Sequence, residues 1–174
     1  MNNSYFDLAH QQELIEGVIV RKLIVHKDET GGLFETLRVD WPDVYNETNL
    51  KFQMQYMSIT PSAIARDEKQ WHVHKNQSDR FICASGRIVT AVFDPRTASK
   101  TNGKLNLFVM SPSSEDEMYM LVIPPETYHG FMVISKEQGY LLNFPTQLYN
   151  PQDEGRVDHA QDFTWQSVRE DFGL

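Results

Sequence analysis

Trp71-His72-Val73-His74-Lys75-Asn76-Gln77-Ser78-Asp79-Arg80-Phe81-Ile82-Cys83-Ala84-Ser85-Gly86 is the stretch that decides how this chain is read. On an extended strand, positions i and i+2 point to the same face, so His72 and His74 look into one space. Four residues separate His74 from Asp79, and six separate Asp79 from Gly86. Further on, Pro124-Pro125-Glu126-Thr127-Tyr128-His129 supplies another histidine. By itself His-Val-His describes surface histidines and nothing more. The ordered carboxylate, the glycine and the later His129 turn it into a candidate site.

Working outward, the 174 residues are most simply one domain, 1–174, long enough to bury a core. Hydrophobic residues make up 40% of the chain, which predicts a globular fold. The formal charge of −8 argues against a nucleic-acid surface, while leaving room for an anionic ligand at a locally basic mouth. The single Cys83 sits in an apolar run and reads as a buried thiol. Residues 1–10 are polar, without the apolar core of a signal peptide, and no apolar run reaches membrane-spanning length. The expectation is a soluble, cytoplasmic protein with no membrane partner.

Strand-like runs follow one another at close spacing: Val18–Val25, Leu33–Val39, Lys51–Thr60, Arg87–Phe93, Leu105–Met110, Met118–Ile123, Phe131–Ser135 and Tyr140–Asn143. About ten short strands and a short C-terminal helix at most predict an all-β sandwich or barrel. In Lys51–Thr60, Phe52, Met54 and Tyr56 alternate with Gln53, Gln55 and Met57. The face carrying Gln53 is expected to turn into the barrel as a ligand surface. The tryptophans at 41, 71 and 165 read as core or interface residues.

The spacing of His72, His74, Asp79 and Gly86 resembles the first cupin motif, with Asp79 where that motif carries glutamate. Pro124–His129 resembles the second motif, with Glu126 in place of its glycine. The resemblance implies a cupin jelly-roll, a double-stranded β-helix barrel with both motifs lining its interior. Within the cupins, the chain from about residue 28 to 165 resembles the dTDP-4-dehydrorhamnose 3,5-epimerases. The similarity is carried by Asp28-Glu29-Thr30-Gly31 leading to Leu33-Phe34-Glu35, by Gln77 to Asp94-Pro95-Arg96, and by Ile123-Pro124-Pro125 to His129-Gly130-Phe131-Met132-Val133. Tyr149-Asn150-Pro151, Asp158 and Trp165 complete it.

The resemblance implies a homodimer acting on a nucleotide-linked 4-keto-6-deoxy sugar, with no metal or other cofactor. It places the catalytic base at His72 and its orienting carboxylate at Asp158, with His74 or His129 donating to the developing enolate. His129 and Glu35 become substrate contacts, Glu35 reaching the substrate of this or the neighbouring subunit. Residues 1–27 become a lead-in that carries the dimer strand, and 145–174 a tail over the barrel. Arg80, Lys69 and Arg66 are candidates for the diphosphate, since guanidinium forks match phosphate oxygens. Gln53, Asn143 and Tyr149 are the remaining substrate contacts. The chemistry suits these residue types: a histidine titrating near neutrality moves a proton α to a ketone, and an aspartate on its other nitrogen sets the tautomer.

The departures from that family are specific. Its general-acid tyrosine falls on Asn143. An Arg-Gly pair becomes Lys69-Gln70, an early arginine becomes Thr30, a lysine becomes Asp79, and a glutamine becomes His74. The last change makes the centre resemble the sugar 3,4-ketoisomerases, so epimerase and isomerase both stand. Two other readings remain at this stage. His72, His74, Asp79 and His129 have the ligand types for one divalent ion, as in metal cupins. A cupin that binds sugar nucleotides without turning them over would also tolerate the missing tyrosine.

Overall fold

The computed structural model describes residues 3–9, 12–159 and 163–174. Parts of the N-terminal lead-in (1–2, 10–11) and of the tail (160–162) lie outside the described residues. The strands are β1 (Tyr5–Phe6), β2 (Ile19–Lys22), β3 (Val25–Asp28), β4 (Gly31–Phe34), β5 (Tyr56–Thr60), β6 (Ala65–Arg66) and β7 (Gln70–His74). They continue with β8 (Asp79–Ser85), β9 (Ile88–Phe93), β10 (Leu105–Met110), β11 (Tyr119–Ile123), β12 (Tyr128–Val133), β13 (Gly139–Asn143) and β14 (Glu154–Asp158). The helix α1 covers Trp165–Phe172.

Two sheets face each other. One runs β1-β10-β9-β12-β7-β14, with β6 added on β12, and the other runs β2-β11-β8-β13-β5. From β5 onward the chain changes sheet at every corner except β6–β7 and β9–β10, so β7 and β8, β8 and β9, and β12 and β13 lie in opposite sheets. This is the jelly-roll expected from the sequence. Gly86 makes the β8–β9 corner with φ 79°, and a side chain there would sit 2.7 Å from Ser135 Oγ. The β3–β4 hairpin stands apart as its own ribbon.

Apolar side chains pack on three levels. Between the sheets lie Phe81, Ile88, Val92, Phe108, Leu121, Phe131 and their neighbours. The outer face of the larger sheet, with Trp71, Val89 and Ala91, is covered by Phe163, Trp165 and Val168. The outer face of the smaller sheet, with Ile82, Met120 and Val122, is covered by Val44, Leu50 and Phe144. Burial on both faces explains why β11 reads as an unbroken apolar run and β9 as one interrupted only by Thr90. The helix is short but well bounded. Thr164 caps it by accepting from Ser167 N, and Gly173 closes it in the left-handed conformation.

Several expected strands are shorter than their sequence runs. Val18–Val25 splits into β2 and β3, where Leu23 turns into the outer apolar cluster. Leu33–Val39 keeps only Leu33 and Phe34 in a strand, and Lys51–Thr60 begins its strand at Tyr56. The residues between β4 and β5 form a strap across the smaller sheet instead. No helix among the described residues is long and apolar enough to cross a membrane.

Candidate active site

The corner between β7 and β8 builds the site. β7 belongs to the larger sheet and β8 to the smaller, so Asp79 faces His74 across the interior. Along β7, Trp71 packs outward, while His72 and His74 turn inward. Their ring centroids lie 4.6 Å apart. β12 pairs with β7 so that His129 is directly opposite His72, and those rings stack at 5.2 Å. His129 Nε2 stands 3.2 Å from Asp79 Oδ2, without the alignment of a hydrogen bond.

Asp79 is 2% exposed, and its charge is held by side chains rather than water. Gln77 Nε2 donates to Asp79 Oδ1 at 2.8 Å, and Asn143 Nδ2 donates to the same oxygen at 2.7 Å. The Gln77 amide nitrogen also lies 3.0 Å from His74 Nε2. An amide N–H can only donate, so His74 accepts there and carries its proton on Nδ1, which faces Asp153 Oδ2 at 3.4 Å. Burial, with His129 and His74 alongside, pushes His72 down to about 3, so its imidazole is neutral at pH 7. Burial also lowers His74, against the pull of Asp79. For Asp79, burial acts upward but is outweighed by His129, His74 and the Asn143 amide, which bring it to about 2.

A cavity of about 140 Å³ opens beside this cluster. His72, His129 and Arg66 line it from the larger sheet, and Tyr56, Ser58 and Phe81 from the smaller one. Arg156 and Asp67 stand at its edge, joined by an ion pair at 3.0 Å. Arg66 has no ion pair among the described residues.

The structure gathers His72, His74, Asp79, His129 and Asn143 into one place, with His74 behind the cavity wall. It separates the others. Asp158 is opposite Gln70 at the far end of β14 and accepts from its side chain at 2.8 Å. The β7–β14 register sets Arg156 opposite His72 and Glu154 opposite His74, so the carboxylate near His72 is Glu154, 3.6 Å away. Arg80 is fully buried on the outer face of β8. It donates to the carbonyls of Phe144, Val44, Leu50 and Lys51, and so it faces away from the cavity.

Lys69 and Gln53 are exposed and outside the cavity lining. The strand alternation is the reverse of the one expected: Tyr56, although 40% exposed, and Ser58 line the cavity, while Met57 and Ile59 lie exposed outside its lining. Tyr149 is 70% exposed, and Glu35 pairs with Arg38 on the surface at 2.8 Å. Trp71 and Trp165 are core residues, and Trp41 stacks under Arg21. Among the described residues no group of three or more His, Cys, Asp and Glu side chains is arranged to hold a metal ion, the quartet His72, His74, Asp79 and His129 included.

Sequence reasoning missed Tyr56, Glu154 and Arg156. The signals were Tyr56-x-Ser58 and Glu154-x-Arg156, same-face pairs at the strand spacing.

The fold has known counterparts. A relative from Haloferax volcanii, described as a probable low-salt glycan biosynthesis epimerase, is 37% identical over 140 residues, 80% of this chain and 83% of its own. The crystal structure of a dTDP sugar isomerase from Desulfovibrio desulfuricans superposes with a TM-score of 0.75 at 22% identity, covering 87% of this chain and 92% of that one. That of a dTDP-6-deoxy-D-glucose-3,5-epimerase from Legionella pneumophila, solved with dTDP-4-keto-L-rhamnose, gives 0.72 at 20% identity, covering 86% and 77%. Residues 12–169 match the profile of the dTDP-4-dehydrorhamnose 3,5-epimerase family, and the chain belongs to that family.

Proposed function

We propose that this protein epimerises or isomerises a nucleotide-linked 4-keto-6-deoxy sugar, with His72 removing a proton next to the ketone. The observation that carries the reading is a neutral, half-buried imidazole on the wall of a small cavity between the sheets. A neutral imidazole is the form that accepts a proton. The enolate that results is stabilised by the Arg156 guanidinium, which lines the cavity at its edge. Glu154, rather than Asp158, is the carboxylate that favours imidazolium once the proton has arrived.

The cavity is smaller than the roughly 300–1,000 Å³ of sites that enclose a whole ligand. It suits the sugar ring and leaves the nucleotide at the mouth. Arg66, free of an ion pair among the described residues, is the diphosphate contact in this reading, in place of Arg80 and Lys69. The relative solved with a dTDP-linked keto sugar supports this substrate class. A two-fold homodimer belongs to the same proposal. It is supported by exposed Ile24 and Leu33 near and on the β3–β4 ribbon and by exposed Met57 and Ile59 on edge strand β5.

The test is exchange of the sugar's α-hydrogen with deuterated solvent, using dTDP-4-keto-6-deoxyglucose. The protein should exchange it, and His72→Ala should lose about 10²–10⁴-fold in rate while still binding thymidine diphosphate. Equal exchange in His72→Ala and the unaltered protein would remove His72 from the reaction.

A further inference from the structure

We propose that the Tyr56 phenol is the acid that returns a proton to the substrate carbon on the face opposite His72. The inference rests on the reading just given and adds the residue that completes it. A histidine alone removes a proton and can return it only to the side it came from. Inversion needs a second proton-carrying group on the other side.

The two sheets supply the two sides. His72 projects from β7 of the larger sheet, and Tyr56 from β5 of the smaller one, into the same cavity. Tyr56 is directly opposite Asn143 in the β5–β13 pairing. Asn143 is where the family resemblance expects a tyrosine, so the phenol comes from the facing position on the neighbouring strand.

The hydrogen bonds fix which way the phenol points. Asn143 Oδ1 accepts from Arg80 N at 3.0 Å, which orients the amide. Its nitrogen donates to Asp79 Oδ1 at 2.7 Å and to the Tyr56 oxygen at 2.8 Å. The Tyr56 oxygen is therefore an acceptor in that bond, and its own O–H is left for the cavity. Burial, and then the charge of Asp79, push the phenol up to about 12, so it holds its proton at pH 7.

The step balances without an oxidant or a second reactant. His72 takes the α-proton, and the C–H electron pair moves into the enolate, whose charge rests on the former ketone oxygen. The enolate carbon then takes the proton of Tyr56 O–H from the other face, and the O–H electron pair stays on the phenolate. The Asn143 N–H remains on that oxygen and steadies it. Solvent carries the proton from the His72 imidazolium back to the phenolate.

The test is Tyr56→Phe, which keeps the ring on a partly exposed edge strand; an unchanged thermal midpoint checks the fold. With dTDP-4-keto-6-deoxyglucose in deuterated buffer, two quantities are followed: solvent deuterium entering the substrate with retained configuration, and epimerised product. Tyr56→Phe should keep deuterium exchange within about tenfold of the unaltered protein and lose about 100-fold or more in epimerised product. Product formation within about threefold of the unaltered protein overturns the assignment. So does a parallel loss of exchange and product, because Tyr56 would then serve substrate holding or enolate formation. Absence of exchange in the unaltered protein is a different failure, of the His72 reading itself, and takes this assignment with it.

Discussion

Asp79 and Arg80 are neighbours on one strand, both buried, and they face opposite sides of the same sheet. On the outer side, the Arg80 guanidinium meets four backbone carbonyls, three of them in the strap between Val44 and Lys51. Burial lowers Arg80 only to about 10, so it stays charged and is fully committed to holding the strap. On the inner side, Asp79 meets groups that themselves titrate or rotate. Nε2 of His72 and of His129 is buried without a hydrogen-bond partner. A buried charge tied to backbone is a structural fastening. A buried charge set among histidines beside a cavity leaves unfinished bonds for a substrate to complete. The resemblance pointed both residues toward function, and only the sheet's two faces tell them apart.

Substitutions should separate the two sides. The largest effect belongs to Arg80→Met, which leaves several buried carbonyls without donors and should cost about 3–5 kcal/mol, read as a lower urea midpoint. Its rate per folded molecule should hold, and a selective loss of rate would return Arg80 to the substrate. Asp79→Asn should do the reverse. A fall of about 10²-fold in epimerisation is expected, equivalent to about 2.7 kcal/mol of transition-state stabilisation. If the urea midpoint falls instead while the rate holds, the inner side is as structural as the outer one.

Acid should loosen the inner side first. His72 is lowered from 6.5 to about 3 in the folded protein, so between those values the unfolded chain binds a proton that the folded one refuses. Its contribution is complete above pH 6.5 and drains away as the pH falls through that window. His74 is shifted in the same direction. Asp79, lowered from 3.8 to about 2, adds a loss only across that lower interval. Urea midpoints from pH 7 to pH 4 should therefore decline, and His72→Gln should flatten part of that decline. The smallest effect is Asp158→Asn, expected within about 0.5 kcal/mol in stability and near the unaltered rate. A tenfold loss of rate there would restore Asp158 as the partner of His72.

The jelly-roll and the histidine cluster were legible because they depend on local spacing. His-x-His shares a strand face, and the turn before Asp79 is short enough to fold the chain back on itself. What escaped depended on register between distant strands. Nothing in Asp158 itself reveals that β14 slides Glu154 and Arg156, instead of Asp158, up to the histidines. Arg80 was misread because strand alternation alone does not say which face of β8 is the inside when both are apolar. Tyr56 was missed because its polar tip counts as apolar in an alternation pattern, and the glutamines beside it look like the better inner face.

Gly130 follows His129 on β12, and a Cβ there would come within 3.1 Å of the Trp165 ring. The wall that carries His129 is one strand thick, with the cavity on one side and the indole on the other. The helix thus works as a backstop: any thermal recoil of that strand away from the cavity runs at once into a rigid ring. Stiffness at the site is borrowed from a helix that never touches it, so a change in how α1 seats would be read out as looseness in the spacing of the imidazoles.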